Sequence, residues 1–306
     1  MLILNGFKAK FKVNLAFSIT ILLWASAFPI IKIALQDFRG QNLAALRLLV
    51  AAFILLIYAI IKKYPIPNWK DLPVILLLGF CGFTVYHIGL SYGELFISSG
   101  VASLLVSLTP IFSALLAKYF LKERFTIIGW LGSLIAFLGI LFITFGEDEK
   151  LSVMIIGVVL TLLATIGESI YFTFQTKYLK KYGFIPLTVY TIIGSNIFTF
   201  IFIPNALFEL GQANYFSIIS VLYLGVFPTV LPYIALAYTI QKVGVSDATI
   251  SLYLTPVISI ILAHLIIGES PTIISIVGGA ITLLGVSTIV FKEKFWIVIN
   301  SIKSNS

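Results

Sequence analysis

The sequence predicts an all-α membrane protein, with ten transmembrane helices arranged as two inverted five-helix repeats. Three observations lead there. Of the 306 residues, 60% are hydrophobic and 10% charged, whereas aqueous domains run to about half apolar and a quarter charged. The apolar residues form continuous runs rather than alternating, which excludes transmembrane strands. The runs also occur twice. Gly100–Glu123 is echoed by Ser246–Glu269 at an offset of 146 residues, with Thr109-Pro110 falling on Thr255-Pro256. At that offset Gly79 meets Gly225, Tyr92 meets Tyr238, Ser113 meets Ser259, Glu123 meets Glu269, Gly132 meets Gly278 and Gly139 meets Gly285. Self-similarity at a fixed period marks a duplicated unit.

Crossing the ~30 Å hydrocarbon core takes about 20 helical residues. Runs of that kind lie near Val13–Leu35, Leu43–Ile61, Leu72–Phe96, Ser98–Leu121 and Thr126–Phe145. The second set lies near Leu151–Lys177, Pro186–Leu207, Phe216–Gln241, Ser246–Ile267 and Thr272–Phe291. The repeats therefore span 13–145 and 151–291. The first run is too long for the apolar stretch of a secretory signal and lacks a small-residue cleavage site, so it reads as a retained span. The connections are too short to hold a soluble domain. No Gly-rich phosphate loop occurs, so the chain is not by itself an ATP-driven pump.

Lysine and arginine set the orientation. With a cytoplasmic N-terminus, the cytoplasmic segments carry Lys8, Lys10 and Lys12; Lys62, Lys63 and Lys70; Lys118, Lys122 and Arg124; Lys177, Lys180 and Lys181; Lys242; and Lys292, Lys294 and Lys303. The opposite loops keep only Arg39 and Lys150. Both termini are thus expected on the cytoplasmic side of the cell membrane. The net charge of +8 reports this orientation and contact with anionic lipid, not nucleic acid. Because each repeat has an odd number of spans, the second copy is expected upside down. Inverted repeats rock about a site at their junction and open it to one side at a time.

At these residues the chain resembles the drug/metabolite transporter superfamily, specifically its ten-span members with two EamA domains. The resemblance rests on Ser107-Leu108-Thr109-Pro110 running to Glu123, with Gly129, Gly132 and Gly139. Its second copy has Leu254-Thr255-Pro256, Gly268-Glu269, Gly278 and Gly285. Trp24-Ala25-Ser26-Ala27-Phe28 with Lys32 is similar to the family's first span, and Arg47 to the arginine near the start of its second. The resemblance implies movement of metabolites or drugs, mostly export, through a cavity lined by the first, third, fourth and corresponding second-half spans. Two positions depart from the pattern. Lys122 replaces the glycine usual before the glutamate, and Glu168 stands where the counterpart of Trp24 aligns, at an offset of 144.

Glu168 is the leading candidate for chemistry. It lies deep in its span, where a charge costs about 2.5–3.5 kcal/mol on insertion scales and usually faces a cavity or a partner. It suits a proton carrier or a binder for a substrate amine; the structural alternative is a neutral acid bonded within the bundle. His87, near the middle of the third span and opposite Tyr233 in the repeat, reads either as a relay or as a neutral histidine on a backbone carbonyl. Pro110 and Pro256 release the carbonyls of Val106 and Leu252 at membrane depth. Thr109-Pro110 and Thr255-Pro256 are accordingly candidate hinges. Trp24, Tyr92, Tyr171, Tyr233, Tyr238 and Tyr253 are candidates to line an amphipathic cavity, against the alternative of lipid-facing belt positions. Lys32 and Arg47 read as anchors that snorkel to the interface.

These readings converge on a secondary transporter, not an enzyme. The expected substrates are small organic metabolites, amino acids or related compounds, moved by alternating access with export favoured. The rival within transport is multidrug efflux; a membrane sensor and an intramembrane enzyme are the rivals outside it. The expected partners are the solute, the lipid bilayer and protons as candidate coupling ion. No cofactor, metal or nucleic acid is called for, and monomer and homodimer both remain open.

Overall fold

The computed structural model describes residues 2–120, 127–146, 151–249, 252, 254–285 and 287–288. Among them every regular element is helical. Seven helical segments are long and apolar enough to cross a membrane: Lys12–Ala34, Gly40–Ile61, Leu72–Gly93, Ser99–Phe120, Val153–Phe174, Phe184–Leu210 and Tyr215–Lys242. Shorter apolar helices at Trp130–Ile143, Thr255–Ile267 and Ile273–Gly285 fall on the other three expected runs. The protein is thus a multi-pass membrane protein with, among the described residues, seven long apolar helices and three shorter ones.

Several spans are broken where the sequence suggests one continuous helix. α1 (Leu2–Ala34) and α2 (Gly40–Ile61) are unbroken. The third span is α3 (Leu72–Gly79), a π-helical segment Phe80–Val85, and α4 (Tyr86–Gly93). The fourth is α5 (Ser99–Val106) and α6 (Thr109–Phe120), parted at Ser107-Leu108. Thr109-Pro110 therefore opens a new helix instead of bending an old one, which suits a proline that has no N–H to offer the preceding turn. α7 (Ile127–Gly146), α8 (Leu151–Phe174), α9 (Thr176–Tyr182), α10 (Phe184–Thr199) and α11 (Ile203–Leu210) follow. α12 (Tyr215–Val243) stays continuous through Pro228 and Pro232. α13 (Val245–Thr249), α14 (Thr255–Ile267), which again starts at a Thr-Pro pair, and α15 (Ile273–Gly285) complete the bundle.

The two ends of the bundle differ in their balance of charge, with Asp71 among the lysines of one and Lys32 and Arg39 among the acids of the other. Lys62, Lys63, Lys70, Lys177, Lys180, Lys181 and Lys242 lie at one end of the bundle, and Asp37, Glu94, Glu209 and Glu269 at the other. At the lysine-rich end Asp71 pairs with Lys181 and accepts from the Tyr182 hydroxyl at 2.5 Å. At the acidic end the Ser98 hydroxyl accepts from Val101 N at 3.2 Å, capping α5. Glu269 Oε1 accepts from Ser99 N at 2.9 Å, so a carboxylate sits on the positive end of that helix. The reach depends on Gly268, which ends α14 at φ +71, a left-handed conformation that favours glycine.

α7 and α15 cross where neither carries a side chain. A Cβ on Gly139 would lie 2.6 Å from the Gly278 carbonyl oxygen, and one on Gly285 would lie 2.6 Å from that of Gly132. Without a hydrophobic effect between helices in lipid, such close backbone approach is what holds them.

Two outcomes follow. Gly139→Val and Gly285→Val each overpack the crossing, at a cost of about 1–3 kcal/mol. Thermal unfolding in detergent reads this, with Gly211→Ala neutral because nothing lies closer to that Cβ position than 3.5 Å. The second concerns Asp71, whose carboxyl Lys181 and Tyr182 hold below the usual carboxylate range. A depressed carboxylate stabilises the folded tether above the ordinary aspartate pKa of ~3.9 and loses that effect as pH falls through its lower folded value. Asp71→Asn should therefore speed pepsin cleavage at the exposed Trp69 near about pH 5, and the ratio to wild type should fall to one in stronger acid; a pH-independent ratio contradicts this.

Candidate functional site

The site grows out of three prolines. Pro110, Pro228 and Pro232 each leave the carbonyl four residues earlier without its helical donor. In a membrane no water stands ready to replace it. Val106 O receives the Thr109 hydroxyl at 2.7 Å. Leu224 O receives the Thr229 hydroxyl at 2.7 Å. Pro228 O receives Trp24 Nε1 at 3.0 Å. These three donors then hold the charged and aromatic groups of the centre.

Thr109 Oγ1 lies 3.0 Å from Glu168 Oε2. Tyr233 donates its hydroxyl toward Glu168 Oε1 at 3.3 Å and toward Gly82 O, in the π-helical segment, at 3.4 Å. Glu168 is 1% exposed. The Thr109 hydroxyl has a single proton and two oxygens within reach. When it donates to Val106 O, the contact with Glu168 requires the carboxyl to be the donor, and hence protonated. When Glu168 is ionised it accepts from Thr109, and Val106 O loses its donor. The protonation of Glu168 is in this way tied to the backbone at the break in the fourth span.

Aromatic rings close around this pair. Trp24 meets Tyr233 edge-on at 5.1 Å, Phe83 lies 4.5 Å from Tyr233 and 5.1 Å from Tyr171, and His87 lies 6.3 Å from Tyr233, all between ring centroids. A small cavity beside them is lined by Trp24, Phe28, Tyr86, Val106, Leu252 and Thr255. Val106 and Leu252 are repeat counterparts, so residues from both halves share it. The space takes about one water molecule. Behind Glu168, α8 carries hydroxyls at every fourth residue. Thr165, Ser169 and Thr173 reach the carbonyls of Leu105, Thr109 and Ser113 on the broken span at 3.5, 3.1 and 3.5 Å.

The structure thus gathers Glu168, His87, Trp24, Tyr171, Tyr233 and Thr109-Pro110. Thr255 and Pro256 start α14, and the Thr255 hydroxyl is buried with no hydrogen-bond partner among the described residues. Tyr92 and Tyr238 lie at opposite ends of the bundle: Tyr92 donates to Gln41 at the acidic end, and Tyr238 packs on Phe184 at the lysine-rich end. Tyr253 lies outside the described residues. Arg47 differs from the snorkelling anchor expected of it. It is 2% exposed and donates through Nε and Nη2 to the Thr229 hydroxyl at 3.2 and 3.0 Å. Its place in the first half of a span, one residue in seven among apolar ones, looks interfacial in sequence; only the packing of α12 on α2 buries it. Glu94 and Ser91 were also missed. Their signal is the spacing, since His87 and Ser91 share one face of α4 and Glu94 caps its end at i+7 from His87.

Comparison with known proteins decides the family. Residues 11–145 and 155–291 match the EamA-like transporter family. The chain belongs to that family. It is 46% identical over 279 residues to the uncharacterized transporter YdfC of Bacillus subtilis (strain 168), covering 91% of each chain. It is 31% identical over 274 residues to a Streptantibioticus cattleyicolor protein named "Probable terminal-alkyne amino-acid exporter", covering 90% of this chain and 92% of the relative. A solved crystal structure covers 91% of the chain with a TM-score of 0.62 at 15% identity, a likeness of fold. The EamA family consists of membrane transporters of small metabolites rather than enzymes, and its relatives here bear transporter names.

Thr229 tests how the centre is held. Thr229→Val keeps the shape but strips Leu224 O of its donor and Arg47 of its acceptor. Hydrogen bonds to charged groups contribute about 1.5–3 kcal/mol, so a loss of that size is expected in detergent unfolding, with Thr229→Ser close to wild type.

Proposed function

We propose that this EamA-family protein exports amino acids or related metabolites by alternating access, with protons as the coupling ion and Glu168 as their carrier. The observation that carries the proposal is that Thr109 Oγ1 lies within hydrogen-bond distance of both Glu168 Oε2 and Val106 O at the break in the fourth span. It links the charge of a buried acid to the conformation of a helix that lines the cavity. The aromatic rings supply an apolar wall for the solute, and the Thr109-Pro110 and Thr255-Pro256 starts serve as gating hinges. Tyr92 and Tyr238, one at each end, are proposed as contacts at the two mouths. The name of the Streptantibioticus relative favours an amino-acid solute over a lipophilic drug.

The proposal includes ten spans in two inverted repeats, 13–145 and 151–291, with both termini cytoplasmic. Repeat mates exchange their contacts in support of it. Gly139 meets Gly278 and Thr282, while Gly285 meets Gly132 and Ala136; moving each residue to its mate at the 146-residue offset turns one set into the other. Gly79 packs on Thr191 of the seventh span, and its mate Gly225 on Arg47 and Val50 of the second. A twofold axis in the membrane plane produces such exchanges.

The test is transport in proteoliposomes with an amino-acid panel that includes L-propargylglycine, a terminal-alkyne amino acid, and a lipophilic cation as the rival solute. Exchange of internal for external solute needs no proton; uptake driven by a pH gradient does. Glu168→Gln is expected to slow the driven mode by roughly 10²-fold or more while exchange persists. Gradient-driven flux at the wild-type rate in this variant refutes the coupling assignment, and cation flux without amino-acid flux refutes the substrate class.

A further inference from the structure

α4 carries an unexplained stripe of buried polar groups. His87, Ser91 and Glu94 stand at i, i+4 and i+7, so they project from one face of the helix. They are 1%, 0% and 0% exposed. Among the described residues, neither nitrogen of His87, nor the Ser91 hydroxyl, nor either oxygen of Glu94 has a hydrogen-bond partner. Almost all buried polar groups in proteins are bonded, and each exception calls for a reason. Three on successive turns of one face, with an ionisable group at each end, form a line rather than scattered defects.

The line joins two places. At one end Glu94 follows the last turn of α4 at the acidic end of the bundle. The charges acting on it are Lys32 from α1, Arg47 from α2 and Glu269 beyond α14. Glu269 borders a cleft lined also by Ser98, Ile260 and Pro271. At the other end, the His87 ring lies among Phe83, Tyr86 and Tyr233, with Arg47 the charge that reaches it. Tyr233 is bonded to Glu168. A helix rises about 1.5 Å per residue, so the steps along the stripe are about 6 and 4.5 Å, distances a single bridging water spans.

We propose that Glu94, Ser91 and His87 form a proton relay from the acidic end of the bundle to Glu168. A proton from bulk water binds the Glu94 carboxylate. It passes through bridging water to the Ser91 hydroxyl, which accepts one proton and releases its own. His87 accepts it on one ring nitrogen and gives up a proton from the other. The Tyr233 hydroxyl does likewise, and the Glu168 carboxylate becomes the neutral acid that Thr109 requires. Each intermediate group regains its starting charge, His87 as its other tautomer and the hydroxyls with their protons turned, and one proton has moved. Arg47, fixed by Thr229, opposes a free metal cation on this route, so what passes is a proton handed between side chains. This rests on the assignment of Glu168 as the coupling acid and adds the side from which its proton comes.

The experiment reads Glu168 directly. Purified full-length protein in lipid is given an acid pH jump, and the C=O stretch of the protonated carboxyl is followed by rapid-scan infrared spectroscopy. The band absent from Glu168→Gln is that of Glu168. Its rise is expected to slow roughly 10²-fold, the lower end of what a positioned proton-transfer group contributes, in both Glu94→Gln and Ser91→Ala, and to recover in Glu94→Asp. Ser91→Ala removes one hydroxyl and leaves the packing, so a slow rise there is no folding defect. A wild-type rise in both variants overturns the relay. Solute exchange by the wild-type protein, measured with L-propargylglycine, reads the transport assignment separately: no exchange with the infrared pattern intact overturns that assignment and leaves the relay standing.

Discussion

A backbone carbonyl freed by proline inside a membrane has to find a donor within the protein. Three such carbonyls, those of Val106, Leu224 and Pro228, find Thr109, Thr229 and Trp24. Each donor then does a second task. Thr109 touches Glu168, Thr229 accepts from Arg47, and Trp24 packs on Tyr233. The centre of the protein is therefore built from the repairs of its own helix breaks. A group that repairs backbone and holds a charge couples the two, which is the property an alternating transporter needs at its pivot.

Positions matched by the sequence repeat differ in chemistry. Glu168 answers to Trp24, Tyr233 to His87 and Thr109 to Thr255. In the second-half setting the acid, phenol and threonine satisfy one another. In the counterpart setting Thr255 and His87 keep polar atoms with no partner. The hydroxyl series of α8 lies along the broken fourth span, whereas the equivalent stretch of α1 offers apolar side chains such as Ile21 and Ala25.

Unsatisfied groups matter here as much as satisfied ones. Burying a polar atom without a partner costs about 1–3 kcal/mol, and His87, Ser91, Glu94 and Asn42 all bear such atoms. A sequence that keeps them in a 60% hydrophobic chain holds them against the stability they forfeit. His87, Ser91 and Glu94 follow one another along the third span, whereas Asn42 lies in α2.

The apolar runs, the doubling at 146 residues and the placement of lysines were sufficient for class, helical architecture and family, because each depends on local composition or on spacing along the chain. Glu168 stood out for the same reason, as a lone acid among apolar residues. The partition of the fourth span at Thr109-Pro110 was foreshadowed by proline's missing N–H, though a break rather than a bend was not. What tertiary structure alone decided was partnership. Arg47 became a buried residue because α12 covers it, Tyr92 and Tyr238 parted to opposite ends, and Glu94 joined His87 and Ser91 in one buried file. Burial and hydrogen bonding are set by which helices face each other, and that pairing joins residues as far apart as Arg47 and Thr229, between which the linear pattern carries no signal.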